Sequence, residues 1–155
     1  MLDRMGQIVT ETHAWPLVVV RLSDQPTPIL DEDYLAFFEG QRDLLRRGSK
    51  FATVVDVQMR APASATQRRM MADWLKEADA PMRRWAVGLG VVTRSAVIRG
   101  GLRAVLWIKE PAVPTKVVAS LFEGITYCLA QLQAHGVAGL DPARKLLDEA
   151  RRTMK

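Results

Sequence analysis

The sequence predicts an α/β domain with a mixed, mostly parallel sheet of about five strands, about four helices and a short further helix at the C-terminal end. Three observations carry that expectation. Short β-branched runs such as Leu17-Val18-Val19-Val20-Arg21-Leu22 and Phe51-Ala52-Thr53-Val54-Val55-Asp56-Val57 read as strands buried on both faces. Segments with an apolar stripe at helical spacing separate them, and strands alternating with helices imply right-handed crossovers in one sheet. The chain of 155 residues, 48% of them hydrophobic and 25% charged, has the size and composition of one domain. Its core is expected over about residues 6–136, with 137–155 as a helical extension.

Taken in order, Gln7 to Trp15 alternates loosely and reads as a first strand, joined tightly through Pro16 to the second and so placed at an antiparallel edge. Asp31-Glu32-Asp33 supplies an N-cap and an acidic first turn. Leu35, Phe38, Leu44 and Leu45 supply the stripe of the first helix, and Arg46-Arg47-Gly48 a basic end and a stop. After the third strand, Ser64 or Thr66 opens a second helix running to Ala80, with Met70, Met71, Trp74, Leu75 and Ala78 on one face. Trp85 to Thr93 reads as a strand, Ser95 caps a third helix to about Ile108, and Thr115 to Ala119 forms a last strand. Ser120 to His135 is a helix striped by Leu121, Ile125, Leu129 and Leu132 and stopped by Gly136. The charged segment Asp141 to Arg152 is a final helix, loosely attached.

Composition excludes several functions. No apolar run approaches the roughly 20 residues that cross a bilayer, and Met1 to Thr10 lacks the pattern of a secretory signal. A cytoplasmic location is expected. Cys128 has neither a CxxC partner nor a histidine at ligand spacing, so it reads as a buried inert thiol. No metal or cofactor is expected. The net charge of +5 raises nucleic acid as a partner, but the surplus lies between Phe51 and Lys109, where ten basic residues face four acidic ones, scattered over several elements. No nucleic-acid binding is expected at physiological salt.

The element order, with a strand reading Val54-Val55-Asp56-Val57, a helix from Ala63 to Ala80, a Gly-Val-Val-Thr strand, and the Ser95 to Ile108 helix followed by Pro114-Thr115-Lys116, resembles the domain shared by sulfate transporters and anti-sigma-factor antagonists (STAS), nearest its SpoIIAA-like branch. The resemblance covers about Leu17 to His135. It implies a non-enzymatic protein-binding module of bacterial signalling, switched off by phosphorylation of a Ser or Thr at the start of the second helix. Here the stretch Asp56 to Thr66 offers Ser64 and Thr66 as acceptors, without the Asp-Ser pair of the antagonists.

Three functional readings follow. In the first, the chain binds a protein partner through the Gln58 to Thr66 loop and the third helix, with Arg60, Arg94, Ser95, Arg99, Arg103 and Trp107 as contact or anion-binding residues. A homodimer through the same apolar face is a variant of it. The third helix carries Val97, Ile98, Leu102, Val105, Leu106, Trp107 and Ile108, more than one stripe, so an apolar patch edged by arginines would also suit a peripheral membrane contact. In the second, a small molecule or lipid fills an apolar pocket between that helix and the sheet, gated by Arg94, Arg99 and Arg103. In the third, Asp56 and a neighbouring hydroxyl catalyse a reaction, but no Ser-His-Asp spacing, metal motif or carboxylate pair accompanies them. His13, on the edge strand, and His135, at a helix end, lie far apart in sequence.

Overall fold

Five strands hydrogen-bond into one sheet in the order β1-β2-β3-β4-β5, in a computed structural model that describes residues 7–100, 102 and 112–154. They are β1 (Ile8–Glu11), β2 (Leu17–Ser23), β3 (Phe51–Gln58), β4 (Ala86–Thr93) and β5 (Thr115–Val118). β1 pairs antiparallel with β2 in the register Ile8 to Leu22, and the other three pairings are parallel. The first strand is thus the antiparallel edge, as its tight connection to β2 requires. His13 lies in that connection, not on the strand.

The helices are α1 (Asp31–Arg46), α2 (Ala65–Glu77), α3 (Asp79–Trp85), α4 (Leu121–Ala134) and α5 (Asp141–Arg152), and residues 96–100 are also helical. Because strand side chains alternate, each strand feeds two cores. Val18, Val20 and Leu22 meet Tyr34, Phe38, Leu44, Trp74 and Ala78 under α1 and α2. On the other face Leu17, Ala52, Val54, Val92 and Val118 meet Ile125, Cys128, Leu129 and Leu132 of α4. Ile125 and Leu132 are fully buried, and burial of each contributes about 2 kcal/mol.

Several local expectations are corrected. The buried stripe of α1 is Tyr34, Phe38, Gln41 and Leu44, while Leu35 stands 57% exposed. Positions 34, 38 and 41 share one helical face, and residue 35 falls about 100° away. Its N-cap is Leu30, whose N–H donates to the Asp33 carboxylate at 2.7 Å, so Asp33 acts from inside the helix rather than as a cap. The second helix divides at Ala78, and α3 continues through Pro81 to Trp85, the residue expected to open a strand. A proline within the first turn removes only an N–H that has no helical acceptor.

The final helix belongs to the core. Leu140, Ala143 and Ala150 are buried there, with Leu146 and Leu147 packed alongside. Its connection to α4 is shaped by Gly136, at φ 67°, from which Val137 N–H reaches back to the Leu132 carbonyl at 3.0 Å. That left-handed residue reverses the chain and lets α5 fold back on α4. No described helix is long and apolar enough to cross a membrane.

Candidate functional site

In an open sheet of parallel strands, ligand-binding loops gather beyond the carboxyl ends of the strands. Here these are the loops after β2, β3 and β4, and they hold the described candidate residues. Hydrogen bonds fix their shape. The Asp24 carboxylate accepts from the backbone N–H of Arg60, at 2.9 and 3.1 Å to its two oxygens, and from Ala61 at 3.0 Å, clasping the loop after β3 to the loop after β2. The Arg60 side chain stands exposed beyond that clasp.

Ser64 is the N-cap of α2. Its Oγ accepts from Gln67 N–H at 3.0 Å, and its own N–H donates to Gln67 Oε1 at 3.2 Å, a reciprocal capping box. Gln67 is buried and donates through Nε2 to the Ile29 carbonyl at 3.0 Å and to Asp31 Oδ1 at 3.1 Å. Ser64 therefore links the start of α2 to the start of α1. Thr66 is exposed in the first turn. After β4, Ser95 Oγ accepts from Ile98 N–H at 3.2 Å and caps the helical residues 96–100. Arg99 folds back to donate to the Thr93 carbonyl at 3.0 Å, so part of its guanidinium is already engaged. Arg94 is exposed, and Val97 is 85% exposed on the same turn. Arg103 and Trp107 lie outside the described residues.

Arg60 and Arg94 thus stand on adjacent loops, since Val57 pairs with Thr93 at the ends of β3 and β4. Ser64 and Ser95 are each committed as caps. Asp56 is 7% exposed; its Oδ2 accepts from Gln58 Nε2 at 3.0 Å and Arg21 at 3.4 Å, and Arg21 bridges on to Glu11 at 2.7 Å. The carboxylate placed where α/β enzymes keep a functional group is one member of a ladder tying three strands together. Its partners are Gln58, at the end of the same strand, and Arg21 on the neighbouring one.

The histidines are remote from this edge: His13 is in the β1–β2 turn, and His135 Nδ1 lies 2.9 Å from the Gln131 carbonyl at the end of α4. Among the described residues no group of three or more His, Cys, Asp or Glu gathers as a metal site. Cys128 Sγ donates to the Thr53 carbonyl at 3.3 Å, and burial pushes its thiol up to about 12, leaving it protonated and unreactive. A groove of about 220 Å³ between α1 and α2 is lined by Arg42, Trp74 and Glu77, and one of about 440 Å³ by His13, Leu146 and Glu149. Neither reaches the loops of the candidate site.

Sequence reasoning missed Asp24 and Gln67. The Ser64-x-x-Gln67 spacing is a capping-box signature and was legible; a carboxylate that binds amides 36 residues away leaves no local signal. The N–H donors of Ala61 and Arg60 hold the Asp24 carboxyl below its ordinary value against a desolvation that raises it. A depressed carboxyl stabilises the fold above the unfolded value, about pH 4, and that contribution is lost as pH falls through the folded value. Asp24→Asn is therefore expected to flatten the acid-side decline of the thermal midpoint. Superimposable midpoint-against-pH curves for the two proteins would assign the decline to other carboxylates.

Comparison with family models, with curated proteins and with solved structures returned no match to this chain.

Proposed function

We propose that the chain is a non-enzymatic protein-interaction module of a regulatory complex, of the STAS-like kind, which meets its partner with the carboxyl edge of its sheet. The observation that carries the reading is Val97. A β-branched aliphatic side chain 85% exposed beside the exposed Arg94 stands on a turn already pinned by Ser95 and Arg99, so docking it orders little that is not ordered in the free chain. The Asp24 clasp supports it, because a loop already ordered loses less entropy on binding. The STAS-like reading itself rests on the order of elements along the chain. In this reading Ser64 and Thr66 are the regulatory positions: a phosphoryl group on Ser64 would be held by the free N–H groups of the first turn of α2 and would add about two negative charges to the edge that meets the partner.

The test is native mass spectrometry of the protein purified gently from its own host, beside the Arg94→Glu/Val97→Asp variant. The unmodified chain is expected to carry a protein partner or a second copy, and the variant to be bare with a thermal midpoint almost unchanged, since exposed substitutions shift stability by about 0.5 kcal/mol or less. A partner retained by the variant would remove this edge from the interface. A bound small molecule without a protein would favour the ligand-binding alternative, and a phosphoryl group mapped to Ser64 or Thr66 would support the switch.

A further inference from the structure

We propose that the opposite edge of the sheet, where β2, β3 and β4 begin, is a contact surface for an anionic bilayer. The inference is independent of the carboxyl-edge interface. It starts from two tryptophans that each precede or end at a strand start. Arg47 lies over the Trp15 ring with its guanidinium carbon 4.3 Å from the centroid, and Trp15 stacks on Phe51 at 5.4 Å. Arg84 lies over Trp85 at 4.8 Å. The two clusters adjoin, because a Cβ on Gly48, the residue after Arg47, would stand 3.9 Å from Trp85 Cζ2. Lys50, exposed, precedes Phe51.

The charge of this edge is only partly compensated among the described residues. Arg46 is paired with Asp43 at 2.7 Å and Arg83 with Asp79 at 2.9 Å. Among the described residues Arg47, Lys50 and Arg84 join no ion pair. Against these three charges the end of α1 sets only about half a negative charge. Stacking on indole holds each guanidinium in one orientation, and its remaining N–H groups suit a phosphate diester. Two partly exposed indoles, amphipathic rings of the kind that settle at headgroup depth, complete a surface whose described carboxylates, Asp43 and Asp79, are already paired with Arg46 and Arg83.

The same geometry selects among anionic partners. The Trp15 ring is taken up by Phe51 and Arg47, and one face of Trp85 by Arg84, so the pair offers no run of open indole faces on which successive nucleobases would stack. Three neighbouring strand starts span about 10 Å at the usual strand spacing, wider than one phosphate and able to meet several headgroups at once. Juxtamembrane cations contribute about fivefold each to binding at an anionic surface.

Co-sedimentation of the full chain with vesicles of phosphatidylcholine alone, or mixed with phosphatidylglycerol, tests this. Binding to the mixed vesicles only, weakening as salt rises, is expected. Arg47→Gln/Arg84→Gln should lower the partition coefficient about thirtyfold. Should that double variant fail to fold, Lys50→Glu, which alters no ring contact, should lower it by fivefold or more with an unchanged thermal midpoint. Equal binding to both vesicle types, binding to neither, or variants that bind like the unmodified chain would overturn the proposal. So would retardation of an oligonucleotide at the same salt without vesicle binding, which would assign the edge to nucleic acid.

Discussion

Trp74→Ala is expected to lower the free energy of unfolding by about 4 kcal/mol, the middle of the range for deleting a buried aromatic side chain. Trp74 is 4% exposed and is the hinge of the layer above one face of the sheet. Its ring stacks on Phe38 of α1 at 5.4 Å with 13° between the planes, and Arg42 of α1 covers it at 5.1 Å while also bonding Glu77 at 2.6 Å. Truncation would open a cavity between α1 and α2 and leave the Phe38 ring without its partner. A domain of this size has about 5 to 15 kcal/mol in all, so the variant should lose a large share of its stability and unfold at a clearly lower urea concentration. Urea denaturation read by circular dichroism provides the measurement, with Leu75→Ala as the control. Leu75 is adjacent in sequence yet largely exposed, and its truncation should shift stability by about 0.5 kcal/mol or less. A loss below about 1 kcal/mol for Trp74→Ala would mean that the α1–α2 layer does not unfold cooperatively with the sheet.

The contrast between Trp74 and Leu75 also shows where sequence reading stops. The strands were legible because β-branched runs such as Leu17 to Leu22 have few other uses, and the caps at Ser64, Ser95 and Ser120 were legible because their partners lie three residues away. Helix phase was harder. Leu35 and Leu75 look like core residues in a list of apolar positions, but tyrosine and tryptophan at positions 34 and 74 bury more area and turn the helices so that these leucines face water. The final helix carries an apolar face at helical spacing, Ala143, Leu146, Leu147 and Ala150, which was legible; the charge on its other face is what made it read as loosely attached. Helical structure continues past Ala80 because Pro81 sits in the first turn of α3, where a helix tolerates it. Of the candidate site, the hydroxyls and arginines were identifiable by type and position, whereas the Asp24 clasp and the Glu11–Arg21–Asp56 ladder depend on pairings 10 to 37 residues apart.

These long-range ties separate the roles of the two ends of the sheet. At the carboxyl edge carboxylates are consumed internally: Asp24 by amides, Asp56 by Arg21 and Gln58, and Asp31 by Gln67. What remains outward is Arg60, Arg94 and Val97, a small mixed surface suited to a protein. At the amino edge the acids instead neutralise Arg46 and Arg83 and leave stacked arginines beside indoles. The two proposals therefore assign the protein partner and the anionic bilayer to ends of the sheet that share none of these side chains.

Gly124→Val should cost about 3 kcal/mol, because α4 reaches the sheet through two glycines and has no room for a side chain between them. A Cβ at Gly124 would stand 2.9 Å from Val92 Cγ2 and 3.1 Å from Val54 Cγ1, and one at Gly90 would stand 3.1 Å from the Gly124 carbonyl oxygen. Neither valine can retreat, since both are buried in the core beneath α4. The alanine variant separates packing from helix propensity. Alanine in place of a helical glycine gains about 1 kcal/mol, whereas forcing a methyl into a filled core costs about 1 to 3 kcal/mol. Gly124→Ala is therefore expected to be destabilising by about 1 kcal/mol despite the better helix former. A stabilised alanine variant would mean that α4 rides higher on the sheet than the close approach of Gly90 and Gly124 indicates. Val92→Ala removes the nearest methyl, so Gly124→Ala/Val92→Ala should lose less stability than the two single variants together; simply additive losses would mean that the two side chains do not compete for the same space.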